Sequence, residues 1–216
     1  MAQARVPGFW AGDLSGGVDA VKSLAKKSPS ANSVFLKQAM TQPKTTGGIR
    51  PSSQALARRM VEVLELDQQW VVELGPGTGV FTEELLAQGQ PPERLMLLEA
   101  NAAFVCLLRE RFPKVNVVLG DARELPQLLT LVGPKKIGKL ISGLPFRNFP
   151  KNLGSDITAA IGSVLNEGGI AVQFTYALQP PFPAQAAALA KLTGRRKNLV
   201  LGNMPPAFVW RYEKLP

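Results

Sequence analysis

The sequence predicts an α/β fold in which a mostly parallel sheet is covered by helices on both faces. Three observations carry that expectation. Short apolar runs recur between residues 70 and 176, and most are followed by a segment with helical spacing. The runs are continuous in apolar content instead of alternating, as strands buried under two helical layers require. The first run, 70–74, passes directly into Gly75-Pro76-Gly77-Thr78-Gly79 and then into a helical pattern reaching about Leu86.

The elements follow in order. Ser52 or Ser53 is placed to cap a helix in which Leu56, Met60, Val63 and Leu64 recur at three- and four-residue spacing. After the glycine stretch come a strand at 95–99, a helix at 102–112 and a strand at 115–119. A basic connection containing Gly and Pro leads to a fourth strand at 139–142. A helix at 152–165, a Gly168-Gly169 turn and a strand at 170–176 complete the parallel set. A helix near 183–192 precedes two β-prone runs, 198–201 and 207–212, spaced to form an antiparallel pair at the sheet edge. The class is therefore α/β and Rossmann-like, with an antiparallel C-terminal edge and a helical N-terminal extension. With 216 residues, 45% of them hydrophobic, the chain suits a single core.

Two regions are expected. Residues 1–50 form an arm with short amphipathic helices, and residues 51–216 form the catalytic domain. Val18, Val21, Leu24 and Ala25 share one helical face, Ser28-Pro29-Ser30 interrupts it, and Asn32 caps a second helix carrying Val34, Phe35, Leu36, Ala39 and Met40. The formal charge of +9 is unevenly spread: residues 1–50 and 191–216 each carry +5, while 51–190 carry −1. Such flanks attract nucleic acid or an anionic membrane surface, or simply confer solubility. No apolar run approaches the length of about 20 residues that a membrane-crossing helix needs, and no secretory h-region is evident. The single cysteine, Cys106, has no internal partner and is expected to be a buried thiol in a reducing, cytosolic setting. No metal site is predicted.

The strongest chemical signal lies at three strand ends. A nicotinamide dinucleotide site would favour G-x-G-x-x-G, whose third glycine falls here on Val80. Glu73, just ahead of the glycines, would repel a pyrophosphate but can accept hydrogen bonds from a cationic amino group. S-adenosylmethionine carries both an ammonium and a sulfonium and matches that charge pattern. Glu99 ends the second strand, where a carboxylate can bridge two ribose hydroxyls, and Asp121 in Gly120-Asp121-Ala122 is placed to accept from an adenine amino group. The alternative is that all three acids are solvated strand-end residues.

On these residues the chain resembles class I methyltransferases over roughly 51–176. Over 32–212 it is similar to the bacterial phospholipid N-methyltransferases, which convert phosphatidylethanolamine towards phosphatidylcholine. The narrower resemblance rests on Pro51-Ser52-Ser53-Gln54-Ala55-Leu56-Ala57-Arg58, on Ser142-Gly143-Leu144-Pro145-Phe146, and on Asn203-Met204-Pro205-Pro206-Ala207-Phe208-Val209-Trp210-Arg211-Tyr212. It implies that Glu73, Gly75, Gly77 and Gly79 surround the methionine moiety of S-adenosylmethionine, Glu99 the ribose, and Asp121 with Ala122 the adenine. Thr78, Ala100 and Ser142 complete the expected cofactor set. It also implies a cytoplasmic enzyme held peripherally at the inner membrane by an N-terminal amphipathic helix. Residues 18–40 are the matching material, with Lys22, Lys26, Lys27 and Lys37 meeting anionic head groups, although the Ser28-Pro29-Ser30 break departs from one continuous helix. The competing reading makes this segment a lid over the cofactor cleft.

For the acceptor, Phe146 is a candidate wall of the methyl-transfer pocket, with a structural turn and core phenylalanine as the alternative. The same stretch resembles the Asn-Leu-Pro-Tyr signature of RNA adenine dimethyltransferases, but Gly143 replaces the asparagine and Phe146 the tyrosine. Such an RNA enzyme would also be expected to carry an additional helical domain. The acceptor is therefore expected to be a phospholipid amine, with nucleic acid the rival substrate. The chain has no histidine, so no side chain with an ordinary pKa near 7 is available as base. Tyr176 is expected to position the amine or bind the lipid phosphate, against simple sheet-edge packing. Arg211, between Trp210 and Tyr212, is a candidate for the phosphodiester, against surface solubility.

Overall fold

The computed structural model describes residues 53–216. The arm and amphipathic helices expected within 1–50, including the 18–40 segment, lie outside the described residues. The described chain opens on helix α1 (Gln54–Leu64), whose N-cap Ser53 accepts from the Leu56 amide at 3.2 Å. Its buried face is Leu56, Ala57, Met60, Val61 and Leu64. Strand β1 (Val71–Leu74), helix α2 (Val80–Ala87), strand β2 (Leu95–Glu99), helix α3 (Ala102–Arg111) and strand β3 (Asn116–Leu119) follow. Helix α4 (Leu125–Val132) leads to strand β4 (Ile137–Ser142), and helix α5 (Lys151–Val164) to strand β5 (Leu165–Thr175). A short helix α6 (Ala184–Leu189) precedes the hairpin of β6 (Leu192–Val200) and β7 (Ala207–Lys214).

The seven strands lie in the order β3-β2-β1-β4-β5-β7-β6. All pairings from β3 to β5 are parallel, whereas β7 runs antiparallel to both β5 and β6. Adjacent strand residues face opposite layers. Val72, Met96, Leu140 and Ala171 pack under α4 and α5, while Val71, Leu97, Ile141 and Val172 pack under α1, α2 and α3. Both faces are thus buried, which accounts for the continuous apolar runs. The strand order reverses between β1 and β4, and the helices that follow these strands, α2 and α5, occupy opposite layers. A crevice therefore opens at their carboxyl ends, where Leu74 lies beside Ser142.

Several local expectations change. Helix α4 falls where the sequence was read only as a connection to the fourth strand; its Pro126 occupies the first turn, where a missing N–H costs nothing. The strand expected at 198–201 begins six residues earlier, at Leu192, and its extra length is the polar, exposed stretch 193–197. As the last strand of the sheet it has no second neighbour among the described residues to demand apolar continuity. Cys106 is exposed, not buried: Val105 and Leu108 form the buried stripe of α3, and Cys106 lies beyond it.

Candidate active site

The glycine stretch after β1 is a cradle that only glycine can build. Gly75, Gly77 and Gly79 have φ of +66°, +57° and +87°, a region that side-chain-bearing residues rarely adopt. At Gly79 a Cβ would also lie 2.6 Å from Phe112 Cε2, so α2 leaves the loop in close contact with the end of α3. The Gly75 amide donates to the Leu98 carbonyl at 3.0 Å, binding the loop to β2. Thr78 is exposed at the crest, and its carbonyl accepts from Arg111 Nη1 at 2.6 Å.

Glu99 is the pin of this cradle. Its Oε2 accepts from the Gly77 amide at 3.1 Å and its Oε1 from the Asn101 amide at 2.8 Å. One buried carboxylate thus joins the glycine loop to the start of α3, where Asn101 caps the helix by accepting from the Ala103 amide at 3.0 Å. Burial raises the Glu99 pKa, and the amides of Asn101, Gly77 and Ala100 oppose that shift.

Glu73 is fully buried beneath the loop. Thr82 Oγ1, in the first turn of α2, donates to its Oε2 at 2.7 Å, and no group among the described residues bonds its Oε1. Loss of solvation raises its pKa to about 8; the Thr82 hydroxyl lowers it, and the nearby Glu99 charge raises it further. A buried carboxyl with an orphan oxygen leaves one acceptor unmet by the fold. The positive ends of S-adenosylmethionine fit that donor set, while a pyrophosphate does not.

The sign of the Glu73 shift yields a prediction. The folded protein holds a proton that the unfolded chain releases near the ordinary value of 4.5. The resulting stabilisation is complete below that pH and is lost as pH rises through about 8. Without cofactor, the unfolding free energy from urea titration should fall between pH 5 and pH 8, by an amount on the order of a few kcal/mol. Glu73→Gln should flatten the profile; an equal slope in that variant would count against the assignment.

At the third strand end, Asp121 already has a partner within the fold. Arg123 occupies it, donating from Nε at 3.1 Å and from its amide at 2.9 Å to Oδ1, and from Nη2 at 2.7 Å to Oδ2. Ala122 is buried against α4, and Ala100 is half-buried after β2. Ser142 is buried at the end of β4, where its Oγ accepts from the Leu144 amide at 3.3 Å. Gly143 donates to the Leu74 carbonyl at 2.8 Å, and a Cβ on it would stand 2.8 Å from the Gly75 carbonyl oxygen. The two loops bounding the crevice therefore meet backbone to backbone.

The three acceptor-side candidates separate. Tyr176 follows β5, half-exposed, with its ring edge-on to Phe174 at 5.5 Å; Phe174 in turn meets Phe81 at 6.0 Å. These rings run from beside Gly143 to the surface. Phe146 belongs instead to a core cluster with Phe149 and Phe182, so its core alternative describes its packing. Arg211 is not brought to the crevice. It pairs with Glu65 at the C-terminal end of α1, at 2.5 Å, and its strand neighbour Val172 lies well before the carboxyl end of β5. Trp210 and Tyr212 face the opposite layer, as strand alternation requires, with Tyr212 stacked on Phe182 at 4.1 Å.

Sequence reasoning missed Thr82, whose relation to Glu73 exists only once α2 folds back over β1. It also missed Gln173, which donates to the carbonyls of Leu144 and Phe174 at 3.0 and 2.9 Å and so ties the post-β4 loop to β5. A lone polar residue inside an apolar strand was the available signal.

Known proteins resemble this chain in sequence and in fold. No family model matches the chain. An ornithine lipid N-methyltransferase from Singulisphaera acidiphila is 35% identical over 146 residues, covering 66% of this chain and 76% of the relative. A ribosomal RNA small subunit methyltransferase A from Synechococcus sp. (strain JA-2-3B'a(2-13)) is 36% identical over 101 residues, or 45% of this chain and 31% of that protein. Among solved structures, magnesium protoporphyrin IX methyltransferase from Synechocystis PCC 6803, with bound SAM, superposes with a TM-score of 0.57 at 11% identity, covering 93% of this chain and 92% of that one. Its fold is the Rossmann-like class I methyltransferase fold seen here. The chain belongs to the family of the ornithine lipid N-methyltransferase, and is a class I N-methyltransferase dependent on S-adenosylmethionine.

Proposed function

We propose that the chain methylates the primary amine of an aminophospholipid, with phosphatidylethanolamine as acceptor and its mono- and dimethyl forms as successive substrates, towards phosphatidylcholine. The observation that carries this reading over RNA is the contact between Gly143 and the Gly75 carbonyl. The asparagine of an RNA adenine site would need a side chain at residue 143, and there is no room for its first carbon. The similarity to an enzyme that methylates a lipid amine supports the same choice.

In this reading Glu73 and the Gly75–Gly79 cradle hold the methionine end of the cofactor, Glu99 and Ala100 the ribose, and Asp121 and Ala122 the adenine. Thr78 and Ser142 border it. S-adenosylmethionine, when bound, supplies an electrophilic methyl. The acceptor must present a lone pair, yet an alkyl ammonium keeps its proton to a pKa of about 10 in water. Desolvation beside the apolar Phe81, Phe174 and Tyr176 rings favours the neutral amine. Tyr176 then positions the amine or the lipid phosphate, and alignment of the reacting atoms supplies most of the rate. Residues 51–216 form the catalytic domain, and residues 18–40 attach it reversibly to an anionic inner-membrane surface.

The test offers radiolabelled cofactor to phosphatidylethanolamine, to ornithine lipid and to total RNA in parallel. Label in phosphatidylethanolamine is the expected result. Label confined to ornithine lipid would replace the acceptor, and label in RNA alone would overturn the lipid reading.

A further inference from the structure

Large apolar side chains are exposed together at the carboxyl edge of the sheet. Thr175 at the end of β5 pairs with Phe208, and Val200 at the end of β6 pairs with Ala207, so the segment after β5 and the β6–β7 turn leave the same edge side by side. Leu178 is 65% exposed in the first; Leu201 and Met204 are 74% and 75% exposed in the second. Tyr176 and Leu199 are also exposed there. Strands lie about 4.8 Å apart, so this ridge stands on the order of 10–15 Å from the crevice at β1 and β4.

The turn that displays Leu201 and Met204 is held in place. Asn203 is buried, its Oδ1 accepts from the Ser53 amide at 3.1 Å, and its Nδ2 donates to the Pro205 carbonyl at 2.8 Å. A buried polar anchor between two exposed apolar residues fixes the tip towards solvent at the cost of unburied apolar area.

The charge around the ridge has one sign. From Tyr176 to Trp210 the chain contains no acid, and of its cations Arg196 lies towards the ridge, while Lys191 stands at the far end of β6. From Lys139 to Ser155, which includes the loop after β4, it again has no acid, and Arg147 and Lys151 are exposed there. Arg196 lies over the Phe208 ring at 5.3 Å, beside the ridge.

We infer that this ridge is where the folded domain docks on an anionic lipid bilayer, with Leu178, Leu201 and Met204 entering the acyl boundary and Arg147, Lys151 and Arg196 meeting the head groups. Apolar side chains beside cations are what an interfacial surface requires. The inference rests on the lipid reading above and adds to it: the crevice would face the membrane, and an acceptor would need to lift only its head group. This surface is built from residues other than 18–40.

Two measurements on the full chain test it. In a Cys106→Ala, Met204→Cys protein, an environment-sensitive dye at residue 204 should shift to the blue with phosphatidylglycerol vesicles and not with phosphatidylcholine vesicles. In a Leu201→Ser, Met204→Ser protein, methylation of vesicle-embedded aminolipid should fall about tenfold, while methylation of a water-soluble short-chain aminolipid should match the parent. An unmoved dye on vesicles that pellet the protein would overturn the docking surface, as would equal loss on both lipid forms. A dye that moves only on adding RNA would make the ridge a nucleic-acid surface. Absence of label in any aminolipid, with the dye still shifting on vesicles, would overturn the acceptor and support the docking.

Discussion

Glu99→Ala protein is expected to bind S-adenosylmethionine about 100-fold more weakly than the parent, a change near 3 kcal/mol. The carboxylate accepts the Gly77 amide on one oxygen and the Asn101 amide on the other. Truncation leaves two donors without partners at a buried junction and removes the acceptor proposed for the ribose. Loss of an acceptor to a buried donor costs roughly 1–3 kcal/mol, and more for charged groups. Glu99→Gln keeps the shape but offers only one acceptor oxygen, so its affinity should fall between the two. Calorimetric titration checks the series. An alanine variant within threefold of the parent would show that the loop holds its shape without the pin.

Gly143→Asn is expected to abolish methyl transfer to lipid without creating transfer to RNA. The substitution restores the residue that RNA adenine enzymes carry, yet its Cβ would be placed 2.8 Å from the Gly75 carbonyl oxygen. The clash is with backbone, which cannot rotate away, so one of the two crevice loops must move. Displacing either by 1 Å degrades alignment, and a loss of about 100-fold or more in kcat follows. Circular dichroism should confirm that the variant folds. RNA methylation by this variant would mean that residue 143 alone selects the substrate class.

Much of the fold was legible because its strands are buried on both faces. Runs such as Leu95–Glu99 have no polar interruption until the strand ends, and the three acids and three glycines stand at strand ends that chain order alone locates. What was not legible depends on how the chain turns and on contacts between distant segments. Asp121 and Arg123 stand only two residues apart, but the spacing alone does not show that the guanidinium folds back onto the carboxylate as the chain turns after β3. Arg211 stood as a phosphodiester candidate, against surface solubility, because its partner, Glu65, lies far back in sequence at the end of α1. Phe146 was ambiguous for a related reason: its neighbours Phe149 and Phe182 arrive from the next turn and from the segment before α6.

Strand β6 has a consequence for behaviour at high concentration. An outermost strand offers a row of unpaired amides and carbonyls to any extended segment, its own copies included. Here the register shifts between Arg196 and Asn198, so the hydrogen-bonding row is interrupted midway. Arg195, Arg196 and Lys197 crowd like charges at that point, and a second copy laid alongside would bring matching cations together. The rim is thereby guarded against sheet-to-sheet aggregation by a kink and a cluster of charge.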